Sequence, residues 1–226
     1  MAQQLEAFLG IPLEKVIKSA GETLYMVGWS LIIGAVIGFV LAVFLWMTRK
    51  DGLKRNDILY TILNAIINII RSTPFIILMV CVMPFTKAIV GTRIGTKAAL
   101  VPLVIYIAPY FSRLIENALL GVDEGIIEAA KSMGATTFQI VIKFVFPEAF
   151  ASMILGITTG TIGLIGATAM AGYIGGGGVG NLALTYGYEK MNTALMILTV
   201  VILIVIVQLI QFLGSFISGR LRAHQS

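Results

Sequence analysis

The chain has 226 residues, of which 58% are apolar and 12% charged, and its mean hydropathy is +0.97. Soluble domains carry about 25% charged residues, so the composition excludes both a water-exposed globule and a disordered chain. The net charge of +5 comes from Lys and Arg residues that form no long basic run, which argues against a nucleic-acid partner. We therefore predict one integral membrane domain over residues 1–226, with its apolar surface in contact with lipid.

Five segments are long and apolar enough to cross a bilayer, which requires about 20 helical residues. The predicted spans are residues 24–47, 58–85, 98–120, 149–170 and 192–216. The second span is interrupted by Arg71 and Pro74, and the fourth is rich in Gly and Thr. The third carries Arg113 and Glu116 near its end, which we interpret as an i,i+3 pair on the surface.

The distribution of basic residues predicts the orientation of the spans. The larger share of Lys and Arg falls in the 49–57 connection, in the 112–148 region and at the C-terminus. Because basic residues are retained on the cytoplasmic side, we predict an outside N-terminus and a cytoplasmic C-terminus.

The long connection between the third and fourth spans, residues 121–147, differs from a lipid-facing helix. Asp123 can cap a helix, and Glu124 suits the positive end of the helix dipole. Gly134 fits a helix stop, and Thr136 can begin another short helix. The pattern predicts a helix–glycine–helix unit on the cytoplasmic side, too short and too charged to cross the membrane.

A motif in this connection resembles the EAA loop of the membrane subunits of bacterial ABC importers. The sequence Glu-Ala-Ala at 128–130 is followed by three residues, a glycine, nine residues and Phe-Val-Phe-Pro at 144–147, with two Phe residues where the loop has Ile and Leu. The resemblance implies a coupling helix that docks into a cleft of an ATP-hydrolysing subunit. The coupling residues that it implies are Glu128, Ala129, Ala130, Gly134 and Pro147. Small residues would let a partner approach closely, and Glu128 would offer a charge-assisted hydrogen bond. The alternative is an ordinary cytoplasmic loop helix.

Further stretches, over roughly residues 20 to 215, resemble the membrane subunits of methionine importers. They are the segments 91–95, 116–120, 132–136 and 175–180, whereas residues 71–75 resemble a stretch of amino-acid importer permeases more generally. The resemblance implies an all-α permease of the type I ABC importer class in the bacterial inner membrane, with five transmembrane helices and a cytoplasmic coupling helix between the third and fourth. It also implies three kinds of partner: a second copy of the chain, two ATPase subunits, and a methionine-binding lipoprotein or periplasmic binding protein.

The chain itself has no sequence for ATP or metal chemistry. It lacks the glycine-rich P-loop sequence, so ATP would be bound and hydrolysed by the partner subunit. The pattern G-x-G-x-x-G at 175–180 follows a membrane span rather than a strand, which favours tight backbone packing over a dinucleotide site. A glycine-walled constriction is the alternative. With a single cysteine and a single histidine, Cys81 and His224, we predict no catalytic, cofactor or metal site.

The candidates for a transport pathway are a buried charge and a set of small residues. Arg71 lies about 20 Å along the second span, where an unpaired arginine costs about 3 kcal/mol or more. It either meets a substrate carboxylate or clamps backbone carbonyls freed by Pro74. The small face of the fourth span is expected near the dimer axis, with Met170 as packing or substrate contact. The candidate pathway or gate residues are Arg71, Thr73, Pro74, Thr158, Gly160, Gly163 and Met170.

The favoured function is the membrane subunit of an ATP-driven methionine importer that works by alternating access. One alternative is a permease of the same architecture for another amino acid or small hydrophobic solute. A secondary transporter or channel is disfavoured, because we expect no acidic residue inside any span, so that an ion- or proton-coupling site would lack its usual carboxylate.

Overall fold

The computed structural model describes Glu6 and residues 9–222, so the remaining ends of the predicted domain lie outside the described residues. This described part is helical with short connections and contains no β-strand. Its helices are α1 (Leu13–Thr48), α2 (Asp57–Ser72), α3 (Phe75–Val90), α4 (Thr96–Leu120), α5 (Glu124–Ser132), α6 (Thr137–Ala171), α7 (Gly178–Asn181) and α8 (Thr193–Arg222). Wide helical turns occur within α6 at Ile140–Val145 and after α7 at Leu182–Tyr188. The segment Gly172–Gly176 after α6 is kinked, because Ile174 and Gly175 have non-helical backbone angles.

Four helices, α1, α4, α6 and α8, are long and apolar enough to cross a membrane. The pair α2 and α3 passes the same test together, but the two helices are bent by 112° at their junction. Five spans therefore result if the bent pair counts as one, and the all-helical membrane fold expected from the sequence is confirmed.

The first span begins earlier than predicted, at Leu13 rather than at residue 24. Its additional turns carry charged residues, which a hydropathy window excludes. They are held by contacts with the α7 region, where the backbone N–H of Gly178 donates to Glu22 (2.7 Å) and that of Val179 donates to the Thr23 hydroxyl (2.8 Å).

The second span is not a continuous helix over residues 58–85. Thr73 leaves the helix with φ −84° and ψ 124°, and α3 starts immediately after Pro74. A residue before proline is pushed out of the α region by the proline ring, which places the break at this dipeptide.

The fourth span begins at Thr137 rather than at residue 149, so the second short helix predicted after Gly134 is the first part of this span. Thr136 caps it through a reciprocal capping box with Gln139. Phe146 and Pro147 lie inside this helix, where Phe146 has φ −62° and ψ −49°. The wide turn Ile140–Val145 lies just before Pro147 and interrupts the regular hydrogen-bond pattern where proline cannot donate.

The core lies where α1, α4 and α6 meet. Phe111 and Ile107 of α4 are completely buried there. At Gly38 of α1, a Cβ atom would lie 2.8 Å from the Phe111 side chain and 2.9 Å from the carbonyl oxygen of Ala108. Glycine at this position thus allows α1 and α4 to pack with their backbones close together.

Candidate functional site

Helix α5 presents the small residues of the EAA motif at one end of the molecule. The Asp123 carboxylate caps the helix by accepting a hydrogen bond from the Gly125 backbone (2.7 Å). Glu128 and Ala129 are exposed, whereas Ala130 is fully buried. Gly134 ends the unit with φ +77°, and no atom lies within 4 Å of the position that its Cβ would occupy. The motif therefore has exposed residues, Glu128, Ala129 and Gly134, and one buried residue, Ala130, that packs into the core.

The exposed surface of α5 continues into large apolar side chains. Met133 is 68% exposed and Phe138, in the first turn of α6, is 73% exposed. Exposed apolar side chains of this size are typical of a surface that contacts another protein or lipid. Sequence analysis did not select these two residues, although they flank Gly134 and interrupt a polar stretch.

The buried side of α5 packs against the wide turn of α6. Ala130 belongs to one continuous core cluster with Val141 and Val145. Its carbonyl oxygen also accepts a hydrogen bond from the Ala135 backbone (3.1 Å), which closes the connection around Gly134. Helix α5 therefore packs directly against the start of α6.

A polar cavity of about 170 Å³ separates α5 from the end of α1. It is lined by Trp46, Arg49, Glu124 and Glu128, among others. The indole Nε1 of Trp46 and the Nε of Arg49 are buried and have no hydrogen-bond partner in the described part of the chain. Glu128 therefore borders both the exposed surface of α5 and this cavity.

Helix α6 has two different faces within the membrane region. Gly160 is buried against α4, where a Cβ would lie 2.5 Å from the Phe111 ring. Thr158 faces α8, where a Cβ on Gly214 would collide with it, and its hydroxyl donates to the carbonyl of Ile154 (2.7 Å). These two predicted pathway residues thus pack within their own chain.

The opposite face of α6 is open and consists mostly of small or polar residues. We call this the open stripe, and its members are Ser152, Thr159, Gly163, Gly166 and Met170. Intervals of three, four and seven residues place them on one side of the helix. A Cβ at Gly163 or Gly166 would meet no atom within 4 Å. Gly163 and Met170 were selected from the sequence, whereas Thr159, Gly166 and Ser152 were not.

Arg71 lies at the break between α2 and α3. It is exposed, and its guanidinium lies 5.7 Å from the centre of the Tyr110 ring, at cation–π distance. The Thr73 hydroxyl donates to the carbonyl of Ile69 (2.9 Å), and Pro74 precedes the first residue of α3. Within the described residues Arg71 makes no hydrogen bond to a backbone carbonyl, so the predicted clamp is not present.

Arg113 and Glu116 form the predicted i,i+3 ion pair, at 2.7 Å, but the pair is not on the surface. The side chains are only 17% and 5% exposed. Arg113 also donates to the amide oxygens of Asn64 and Asn68 of α2, the latter at 3.1 Å. The two asparagines, one turn apart on a helix of otherwise large apolar residues, are the sequence signal that we missed.

These arrangements define a class of protein. The chain combines membrane-crossing helices with an exposed short helix at one end and an uncovered stripe of small residues. No group of three or more metal-ligating side chains occurs among the described residues. This is the organisation of a transport permease subunit.

Residues 34–223 match the family described as "Binding-protein-dependent transport system inner membrane component". The chain belongs to this family. It is therefore a multi-pass protein of the inner membrane and a permease subunit of an ABC importer.

Named relatives cover most of the chain. A probable D-methionine transport system permease protein of Vibrio cholerae is 47% identical over 199 residues, or 88% of each chain. A methionine import system permease protein of Bacillus subtilis is 44% identical over 212 residues, which are 94% of this chain and 96% of the relative.

Solved structures show the same fold. A chain of the MetNI methionine ABC transporter, in an inward-facing conformation, aligns with a TM-score of 0.90 and 43% identity, covering 92% of this chain and 97% of the other. An amino acid ABC transporter crystallised with histidines aligns with a TM-score of 0.77 at 18% identity, which supports the fold alone.

Proposed function

We propose that this chain is the membrane subunit of an ATP-driven methionine importer. Two copies would pair with two separate ATPase subunits, and a methionine-binding lipoprotein or periplasmic binding protein would deliver the substrate. Methionine is supported by the relatives from Vibrio cholerae and Bacillus subtilis and by the MetNI neighbour, all of which are named for it.

The observation that carries the mechanism is the division of the EAA motif between solvent and core. Glu128, Ala129 and Gly134 are exposed for contact with the ATPase, while Ala130 is anchored beside Val145 of α6. Closure of the ATPase dimer on ATP would displace α5, and close packing would pass this displacement to α6 because packed interiors are nearly incompressible.

The pathway would form where the open stripes of two copies face each other. A lipid-facing helix gains nothing from Gly163, Gly166 and Thr159, whereas small residues allow two helices to approach or leave room for a solute between them. Arg71, Thr73 and Pro74, at the break in the bent pair, are proposed to act as a gate. Displacement of α6 would open the pathway to one side of the membrane at a time.

The proposed orientation has the N-terminus outside and the C-terminus in the cytoplasm. An ATPase requires α5 on the cytoplasmic side, and α5 lies at the same end of the molecule as the basic 49–57 connection. The positive-inside rule assigns this end to the cytoplasm as well.

Replacement of Gly134 tests the coupling surface. We expect Gly134→Asp to abolish ATP-dependent methionine uptake and copurification of the ATPase, because it places a charged side chain on the docking surface. The matched control is Gly91→Asp at the other end of the molecule. Gly91 also has a positive φ (+82°), and a Cβ there also meets no atom within 4 Å.

The two variants therefore carry the same side chain on similarly strained backbones and differ in their distance from α5. Gly91→Asp is expected to retain most of the uptake. Equal uptake by both variants, with equal amounts of protein in the membrane, would contradict the proposed coupling role.

A further inference from the structure

A second polar cavity, of about 480 Å³, opens at the end of the molecule opposite α5. We call it the outer cavity. It lies between the first turns of α1, from Glu14 to Glu22, and the α7 region, from Gly177 to Tyr186. Ser19 on its wall and Trp46 beside α5 are separated by roughly 40 Å along α1, at 1.5 Å per residue. The outer cavity is thus distinct from the coupling surface at α5.

Several polar groups of the outer cavity have no partner among the described residues. The Ser19 side chain is 7% exposed, and its hydroxyl makes no hydrogen bond there. The Asn181 amide likewise has none, and Lys18 forms no ion pair. Glu22 uses its Oε2 atom to accept from the Gly178 backbone, which leaves Oε1 for another donor. These groups are therefore available to form hydrogen bonds with a polar ligand.

Charges of both signs alternate along the wall that α1 contributes. Lys18 lies one turn from Glu14 and one turn from Glu22, yet neither carboxylate pairs with it in the described residues. The helix positions that carry these charges are about 6 Å apart along the axis, so charges of both signs line the cavity within two turns of α1.

At Tyr186, two lysines beside the outer cavity contact an aromatic ring. The Lys15 ammonium lies 3.6 Å and that of Lys190 lies 4.5 Å from the centre of the Tyr186 ring. A hydrogen bond with Lys15, together with the charge of that lysine, lowers the pKa of the Tyr186 hydroxyl. Two of the cations at this end are therefore already engaged, and Lys18 is the cation left for a ligand.

We propose that the outer cavity binds a free α-amino acid in its zwitterionic form. The carboxylate would bind to Lys18 and Ser19, the ammonium to Glu22, and the apolar side chain would lie along Leu182. The Asn181 amide can contact either charged group. The inference rests on the proposed importer function and extends it, because it adds an entry site for the substrate at the outer end of the pathway.

Equilibrium binding of labelled L-methionine to the purified full chain in nanodiscs tests this site. Without ATPase and binding protein, no other subunit can bind the amino acid. We expect Lys18→Gln to weaken binding at least tenfold and Ser19→Ala to weaken it about threefold. Lys87→Gln, which removes an exposed lysine that does not line the outer cavity, is expected to leave binding unchanged. Circular dichroism and gel filtration check that the variants fold alike.

Competition identifies the recognised groups. Methionine methyl ester lacks the carboxylate and 3-(methylthio)propionate lacks the ammonium, so both should compete at least tenfold more weakly than methionine. Equal competition, absence of binding by the unmodified chain, or equal affinities of Lys18→Gln and Lys87→Gln would overturn the inference. Intact methionine binding with weaker capture of the binding protein by Lys18→Gln would also overturn it, because the charges would then serve protein docking.

The same variants separate this inference from the proposed function. If the complete transporter takes up methionine with ATP but the purified chain does not bind methionine as expected above, only the proposed amino-acid site in the outer cavity is refuted. Failure of the unmodified transporter to take up methionine would refute the proposed function instead.

Discussion

At the scale of single residues, the Arg113 cluster shows how this protein accommodates charge inside its membrane region. The guanidinium pairs with Glu116 of its own helix and also binds the amides of two α2 residues, Asn64 and Asn68. Glu116 and Glu22 lie within membrane-crossing helices, so the expectation of spans without interior acidic residues needs correction. Glu116 is already neutralised by Arg113, which leaves it unsuited to carry a coupling ion.

Removal of the Arg113 guanidinium is predicted to destabilise the fold. Arg113→Met leaves Glu116 buried without its partner, and breaking one side of a buried pair costs about 3–5 kcal/mol. The free energy of unfolding in detergent, from a denaturant titration, measures this loss.

The matched control is Arg55→Met, because Arg55 pairs with Asp57 at the same 2.7 Å distance. Those two side chains are 54% and 60% exposed, and water and salt screen exposed pairs so that they contribute little to stability. If Arg113→Met and Arg55→Met lower the free energy of unfolding equally, burial of the Arg113 cluster adds nothing to stability.

At the scale of elements, α6 joins the packed interior to the open stripe, which no other helix of the described residues covers. Its two faces differ in what surrounds their glycines, since Gly160 touches Phe111 whereas Gly163 faces open space. The same substitution therefore has different consequences on the two faces.

Gly160→Ala is predicted to lower the free energy of unfolding by about 1–3 kcal/mol, because it overpacks the contact with Phe111. Gly163→Ala is expected to leave the free energy of unfolding unchanged or to raise it slightly, since alanine favours the helix.

Gly163→Leu is expected to reduce methionine uptake several-fold, because the leucine side chain would fill the proposed pathway while the protein still folds. If Gly163→Leu does not change methionine uptake, Gly163 does not line the pathway.

The elements also show what sequence patterns can predict. Hydropathy located all five apolar segments, because lipid exposure leaves a signal in composition alone. It could not predict the 112° bend or the early start of α1, because both depend on local backbone geometry and on contacts with the distant α7 region. The pairing of Arg113 with Asn64 and Asn68 was missed for the same reason.

The sequence predicted the residues of the EAA motif better than the residues of the open stripe. The EAA motif has a fixed spacing, so its residues could be selected from the sequence, and the structure then divides them into an exposed set and the buried Ala130. Spacing did not decide which small residues of the fourth span face outward. Thr158 and Gly160 pack inward, and the open stripe became visible only with the neighbouring helices in place.

At the scale of the whole molecule, polar chemistry is concentrated at the two ends of an apolar body. One end carries α5 and the cavity beside Trp46, and the other carries the outer cavity. Helix α1 extends from one end to the other and packs with α4 and α6 in the core between them. This arrangement suits a chain that provides a path and receives its energy from a partner.

Methionine uptake by proteoliposomes tests the central claim most directly. The vesicles would contain this chain with its ATPase, with binding protein and labelled methionine outside and ATP inside. We predict uptake with enclosed ATP, and none with enclosed ADP even when a proton gradient is imposed. Uptake that follows the proton gradient and does not require ATP would contradict the account.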